Sequence, residues 1–153
     1  MVHAVDSGSL THATSLQLEI FAHRYYTLFN QRQFDEAERF VDPQAVFTYP
    51  SAREHFIGRA GYRELVRRWV TAFPDGTVSI TRVTAEDGPM VQTDWIGQGT
   101  HLGPLELPGL PTLPPTGIRA ELPMRETLRL ADGMVVASRL EFDAAELRRR
   151  LNF

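Results

Sequence analysis

The sequence predicts an α+β domain in which helices cover one face of a curved antiparallel sheet, giving an open cone. Apolar residues recur at helical spacing through the first half of the chain, and after Pro74-Asp75-Gly76 the period changes from about 3.6 to 2. The triplets Glu86-Asp87-Gly88 and Ala131-Asp132-Gly133 then separate long alternating runs as hairpin turns do. Helices followed by a meander of strands is the α+β pattern.

The elements follow in order. Residues 1–13 read as a flexible tail and 14–153 as one domain. Thr14 and Gln17 make a capping box for a first helix, whose Leu18, Phe21, Ala22, Tyr25, Leu28 and Phe29 share a face and which ends near Asn30. Asp35 with Glu38 signals a short second helix bearing Ala37, Phe40 and Val41, stopped by Asp42-Pro43 because the residue before proline avoids the α region. Ala45 to Tyr49 is a brief strand. From Gly61, the series Tyr62, Leu65, Val66, Trp69, Val70 and Phe73 is a third helix. Val78 and Ile80 begin the alternation, and strands follow over Met90–His101, Ile118–Leu130 and Met134–Phe142. Asp143 and Glu146 open a last short helix ending at Leu151. Gly103–Gly117 carries five prolines and is too long for a tight turn; it is a lid, an interface element or a pinned surface excursion.

Composition excludes several functions. The 153 residues carry a net charge of -3 with the charges dispersed, so no concentrated Lys/Arg footprint marks a nucleic-acid surface. The cluster Arg148-Arg149-Arg150 complements a helix C-terminus. With no cysteine there is no disulfide, thiolate nucleophile or Cys-zinc site. Met1 to Ser9 lacks an apolar signal-peptide core, and no apolar run approaches the ~20 residues of a membrane span, so a cytoplasmic protein without membrane partners is expected. His23 and His55 have no partner at metal-ligand spacing, and neither a metal nor a cofactor is expected.

One residue breaks the sheet pattern. Met124, Glu126 and Leu128 share a strand face, so a carboxylate lies between two apolar side chains. On the concave face, burial would raise its pKa toward the range where a carboxyl exchanges protons near neutral pH. A bulge at Pro123 would invert the parity and place Glu126 in a surface ion pair instead. Counting back from His101 by two gives Gly99, Gly97 and Trp95, a strip with an aromatic wall, room for a flat substrate and a titratable tip; alternatively His101 caps the proline-rich loop. Tyr49, Trp69, Tyr25, Phe29, Phe47, Met124, Leu128 and Leu140 complete the candidate pocket, with plain core packing as the alternative for each aromatic. Asp94 falls on the opposite face from Trp95.

Phe34-Asp35-Glu36-Ala37, Gly58-Arg59-Ala60-Gly61-Tyr62, Ala72-Phe73-Pro74-Asp75, Gly99-Thr100-His101-Leu102-Gly103-Pro104, Pro114-Pro115-Thr116-Gly117 and Asp132-Gly133-Met134-Val135 together resemble the SnoaL-like polyketide cyclase family of the nuclear transport factor 2-like superfamily. The resemblance covers residues 15–151. It implies a cone with an apolar pocket and an intramolecular aldol ring closure in which a strand aspartate is general acid and base. Glu126 stands at that aspartate's position, one methylene longer, and His101 matches the assisting histidine. The implied ligand is a small hydrophobic or aromatic polyketide-like compound, the setting antibiotic biosynthesis, and the assembly a homodimer through the sheet. Limonene epoxide hydrolase shares the fold, but the positions matching its Asp-Arg-Asp set are Trp95, Gly97 and Leu140. An epoxide-opening enzyme using Glu126 and a non-catalytic binding or dimerisation module are the alternatives. A ketosteroid isomerase would need a phenol, from Tyr25 or Tyr26, and a second acid not evident in the sequence.

Overall fold

The computed structural model describes residues 13–49, 52 and 54–153. Most of the tail expected over residues 1–13 lies outside these; Ala13 forms a bridge with Gly88.

The chain runs α1 (Ser15–Asn30), α2 (Phe34–Glu38), β1 (Val41–Thr48), β2 (Phe56–Ile57), α3 (Gly58–Ala72), β3 (Thr77–Ala85), β4 (Met90–Thr100), β5 (Arg119–Ala131), β6 (Met134–Glu141) and α4 (Ala144–Arg150). The strands make one six-stranded sheet ordered β2-β1-β6-β5-β4-β3. α1 packs on β3 and β4, and α3 on β1 and β2, so the helices close one face of an otherwise open sheet. The α+β architecture is therefore as the periodicity predicts.

Local signals explain most boundaries. The capping box forms: the Gln17 backbone N–H donates to Thr14 Oγ1 at 3.1 Å and the Thr14 N–H to Gln17 Oε1 at 2.9 Å. Asp143 accepts the Glu146 N–H at 3.0 Å and starts α4, whose last turn holds the three arginines. Asp132 and Gly133 have φ values of 52° and 75°, the left-handed pair of a tight hairpin.

The second helix departs from expectation. It is capped at Gln33 without a side-chain bond, and Phe40 and Val41 lie beyond it. Val41 already belongs to β1, where Pro43 is tolerated because the ladder to β6 breaks between Val41 and Val46. The β1–β6 pair is parallel, so the sheet is not wholly antiparallel. β2 is a two-residue edge strand without a sequence signal, and α3 starts three residues earlier than Gly61, at Gly58. Gly58 has φ +67°, and a Cβ there would lie 2.5 Å from the Pro43 carbonyl oxygen, so only glycine fits this corner.

The core lies between helices and sheet. Leu18, Ala22, Val41, Val91, Leu128, Val135 and Leu151 are wholly buried, and Leu147 of α4 reaches the same cluster. The outer face of β5 is charged: Arg119, Arg125 and Arg129 are exposed, and Arg125 Nε donates to Asp94 Oδ1 at 2.7 Å. Asp94 thus sits on the outside, as parity predicts.

Candidate functional site

Helices and sheet leave a cavity of about 140 Å³ between them. That is close to the ~150 Å³ that holds a benzene ring in an apolar interior. Nine aromatic side chains line it, among them Tyr25, Tyr26, Trp69 and Trp95, while the ionisable residues in its lining besides the tyrosines are Glu121 and Glu126. Glu121 is exposed; Glu126 is only partly so, and what it is exposed to is the cavity.

Strand register explains the placement of Glu126. It pairs with Thr93 on β4 and Leu140 on β6, and Leu122, Met124, Leu128 and Leu130 on its own strand are buried on the same side. Pro123 sits in register opposite Ile96 and introduces no bulge. The inward parity is therefore correct. β6 does bulge between its pairings with Arg129 and Leu130, which turns Ser138 and Leu140 toward the cavity side.

The carboxyl is held from both sides. Tyr26 Oη donates to Glu126 Oε1 at 2.7 Å, and Ser138 Oγ donates to Oε2 at 2.5 Å. Tyr26 Oη also lies 2.8 Å from Thr93 Oγ1, and Thr93 Oγ1 donates to the Glu126 backbone oxygen at 3.1 Å. Burial pushes the Glu126 pKa above the ordinary carboxyl value; the bonds from Ser138 and Tyr26 oppose this without cancelling it. The surrounding phenols are pushed up as well, again chiefly by burial and then by the Glu126 charge, for Tyr26 and Tyr62 alike. They stay protonated and can act as donors.

Tyr49 lines the same cavity, and its oxygen accepts from Trp69 Nε1 at 2.9 Å. Its own proton has no acceptor among the described residues. Trp69, Tyr25, Phe29, Trp95, Met124 and Leu140 also line the cavity, as the sequence suggests. Leu128 does not: it shares the face but is buried in the core.

His101 is not brought to the cavity. β4 ends at Thr100, and the His101 ring is wholly buried, 5.3 Å from the Phe73 ring, with Nδ1 3.1 Å from Thr116 Oγ1. Its Nε2 has no partner, and burial pushes its pKa down. The residue ties the two ends of the proline-rich segment: its backbone N–H donates to Ile118 and its carbonyl accepts from Gly117. This is the loop-capping arrangement.

The two glycines differ in purpose. A Cβ on Gly99 would lie 3.0 Å from Phe73 Cβ and 3.1 Å from Gly76 Cα, so Gly99 admits the 73–76 turn and not a substrate. A Cβ on Gly97 would meet Trp95 Cζ3 at 3.3 Å and Met124 Sδ at 3.4 Å, both cavity groups. Gly97→Ala is therefore expected to cost about 1 kcal/mol of stability or less while weakening binding of an aromatic probe several-fold. Calorimetric titration with β-tetralone checks it.

Tyr26, Ser138 and Thr93 were not singled out for Glu126 by the sequence, although Tyr26 was weighed with Tyr25 as a source of a phenol. Thr93 could be found by counting the β4–β5 register to the residue opposite Glu126. Among the described residues, no group of three or more His, Cys, Asp or Glu gathers to bind a metal, and no helix is long and apolar enough to cross a membrane.

Comparison with known proteins gives a family from the sequence and a shared fold from solved structures. The family profile described as SnoaL-like polyketide cyclase matches residues 19–151. No curated protein matches the sequence. Among solved structures, a candidate SnoaL-like polyketide cyclase from Jannaschia sp. CCS1 is 21% identical with a TM-score of 0.78, covering 90% of this chain and 92% of that one. AclR, a candidate hydroxylase from Streptomyces galilaeus, is 22% identical at TM-score 0.74 over 91% of this chain and 98% of its own. IdmH, a candidate polyketide cyclase from Streptomyces antibioticus, is 25% identical at TM-score 0.70 over 88% and 98% respectively.

Proposed function

The chain belongs to the SnoaL-like polyketide cyclase family, and from that premise we propose that it closes or isomerises a polyketide-like carbonyl compound without a cofactor, with Glu126 as general acid and base. The observation that carries this reading is a lone carboxyl at the inner wall of an aromatic cavity, hydrogen-bonded by two hydroxyls and raised in pKa by burial.

The chemistry is balanced within one substrate. Ionised Glu126 takes an activated C–H proton, and the resulting enolate carbon attacks a second carbonyl carbon of the same molecule. That carbonyl's π electrons move to its oxygen, which recovers the proton from Glu126. One C–C bond forms, and the carboxylate is regenerated. Tyr49, with its proton unclaimed and its oxygen accepting from the Trp69 indole, is placed to donate to a substrate oxygen. Among the described residues no Arg, Lys or His lines the cavity, so a substrate that is neutral where it meets this wall fits it best. His101 acts at a distance, through the loop it anchors.

Proton exchange tests the reading before the natural substrate is known. In deuterated buffer the protein should speed exchange of the activated protons of β-tetralone, a neutral aromatic ketone, as followed by proton NMR. Binding of β-tetralone without any acceleration would favour the non-catalytic module. Tyr49→Phe is expected to slow exchange roughly 10²-fold, the size of a lost oxyanion donor at its modest end, while leaving affinity within a few-fold.

A further inference from the structure

We propose that Thr93 is a positioning residue that, through Tyr26, biases Glu126 toward its acid form, because the hydrogen bonds joining the three close into a complete ring only when the carboxyl carries the proton. The proposal deepens the reading of Glu126 as proton carrier and rests on it.

The argument is a count of protons. Three contacts join these residues: Tyr26 Oη to Glu126 Oε1 at 2.7 Å, Tyr26 Oη to Thr93 Oγ1 at 2.8 Å, and Thr93 Oγ1 to the Glu126 carbonyl oxygen at 3.1 Å. Each hydroxyl owns one proton. With Glu126 ionised, two protons face three contacts. If Tyr26 donates to the carboxylate and Thr93 to the carbonyl, two oxygens with no proton between them face each other across 2.8 Å. With Glu126 protonated the count closes: Oε1–H donates to Tyr26, Tyr26 to Thr93, and Thr93 to the Glu126 carbonyl. Ser138 donates to Oε2 in both forms, more strongly to the carboxylate, so it opposes the ring. Loss of the proton must reverse the Tyr26 hydroxyl, from acceptor of the carboxyl proton to donor to the carboxylate.

Nothing else nearby settles the charge. The titratable groups facing Glu126 are Tyr25 and Tyr26 from α1, Tyr62 from α3 and Tyr49 beyond β1, and burial keeps all four protonated. β4 and β6 turn Asp94, Arg139 and Glu141 away from it: Arg125 holds Asp94, and Arg139 Nε lies 3.6 Å from Glu141 Oε1. The ring therefore adds to the burial that already favours the acid form, in a dry site where one unsatisfied polar atom is costly.

The two side chains then have different signatures. Thr93→Val removes two bonds from the acid form and one from the ionised form, so the Glu126 midpoint should fall by roughly half to one pH unit, the equivalent of about one net hydrogen bond. Tyr26→Phe removes two neutral bonds from the acid form and one charge-assisted bond, about twice as strong, from the ionised form, so it should move the midpoint less than Thr93→Val does. Carbon-13 NMR titration of the full-length protein labelled at glutamate carboxyls, assigned with Glu126→Gln, reads both. Thr93→Ser, which keeps the hydroxyl, should restore the parent midpoint. An unmoved or raised midpoint in Thr93→Val overturns the ring.

Isotope-edited infrared difference spectra between the parent protein and Glu126→Gln give a reading that needs neither ring variant to fold. The protonated carboxyl stretch should persist to higher pH than that of an ordinary glutamate; its loss within the ordinary glutamate range overturns the proposal. None of these measurements uses turnover. Failure of β-tetralone exchange would sink the catalytic reading while the titration stood, and an unshifted titration would sink the ring while exchange stood.

Discussion

Glu126→Gln is expected to lower catalysed exchange and turnover by roughly 10²–10⁴-fold, the usual contribution of one positioned acid/base group, with the fold intact. The amide is isosteric and keeps the local bonds: its oxygen can accept from Tyr26, and its NH₂ can donate to Ser138, which occupy the two sides of the native carboxyl. What it cannot do is accept and return a proton. Affinity for a neutral aromatic ligand should therefore stay within a few-fold while the chemical step disappears. Full activity in this variant would end the assignment.

The same substitution should separate the two proteins in stability as pH rises. The folded-state pKa of Glu126 lies above its ordinary value, so the native state holds this proton more tightly than the unfolded chain. The resulting stability is complete below the ordinary carboxyl range and is lost as pH climbs through the folded-state value. Glu126→Gln has no such loss. Denaturant midpoints for the two should differ by a constant amount in acid and diverge in favour of the variant toward neutral and alkaline pH. Parallel curves across that window would show that the carboxyl is less desolvated than its surroundings indicate.

How far the site was legible depended on the range of the interactions involved. Alternation within one strand is local, so the inward face of Glu126 could be read directly from Met124 and Leu128 beside it. The partners come from afar: Tyr26 lies 100 positions away, and helix periodicity places both Tyr25 and Tyr26 inward without saying which hydroxyl meets the carboxyl. Ser138 is hidden for a different reason. Plain counting back from the Ala131–Met134 pair at the turn would set Arg139 opposite Glu126, but the bulge near Leu130 advances the register by one and puts Leu140 there, with Ser138 on the same inner face. A single inserted residue thus puts a buried hydroxyl, rather than an arginine, on the inner face beside Glu126. His101 shows the reverse error, since carrying period two one step past Thr100 assigns it a face that the strand's end does not keep. The parallel β1–β6 pair was hidden because parallel pairing requires a long crossover that no local pattern announces.

Gly103→Ala is expected to be among the most destabilising single-methyl additions in this fold, because it collides with the Thr71 backbone at a fixed joint. A Cβ at Gly103 would sit 2.1 Å from the Thr71 carbonyl oxygen and 3.0 Å from its carbon, far inside the contact distance. Neither partner can yield cheaply. Thr71 belongs to the last turn of α3, and the N–H groups of Leu102 and Gly103 both donate to the Ala72 carbonyl, at 2.9 and 3.2 Å, satisfying an acceptor that the helix end leaves open. Relief requires peeling the segment away, which breaks these bonds and loosens Leu105, Leu107 and Leu113, all buried and braced by the Leu105–Leu113 bridge. A loss of about 3 kcal/mol is expected, or roughly 6–12 °C in Tm for a domain of this size. Gly117→Ala supplies the contrast: its φ of +73° is strained for alanine but its Cβ would meet nothing within 4 Å, so only about 1 kcal/mol should be lost. If the 103–117 segment instead behaved as a freely moving lid, Gly103→Ala would cost no more than Gly117→Ala. The larger cost would make this segment part of the scaffold behind Phe73, holding the cavity wall in place without opening over it.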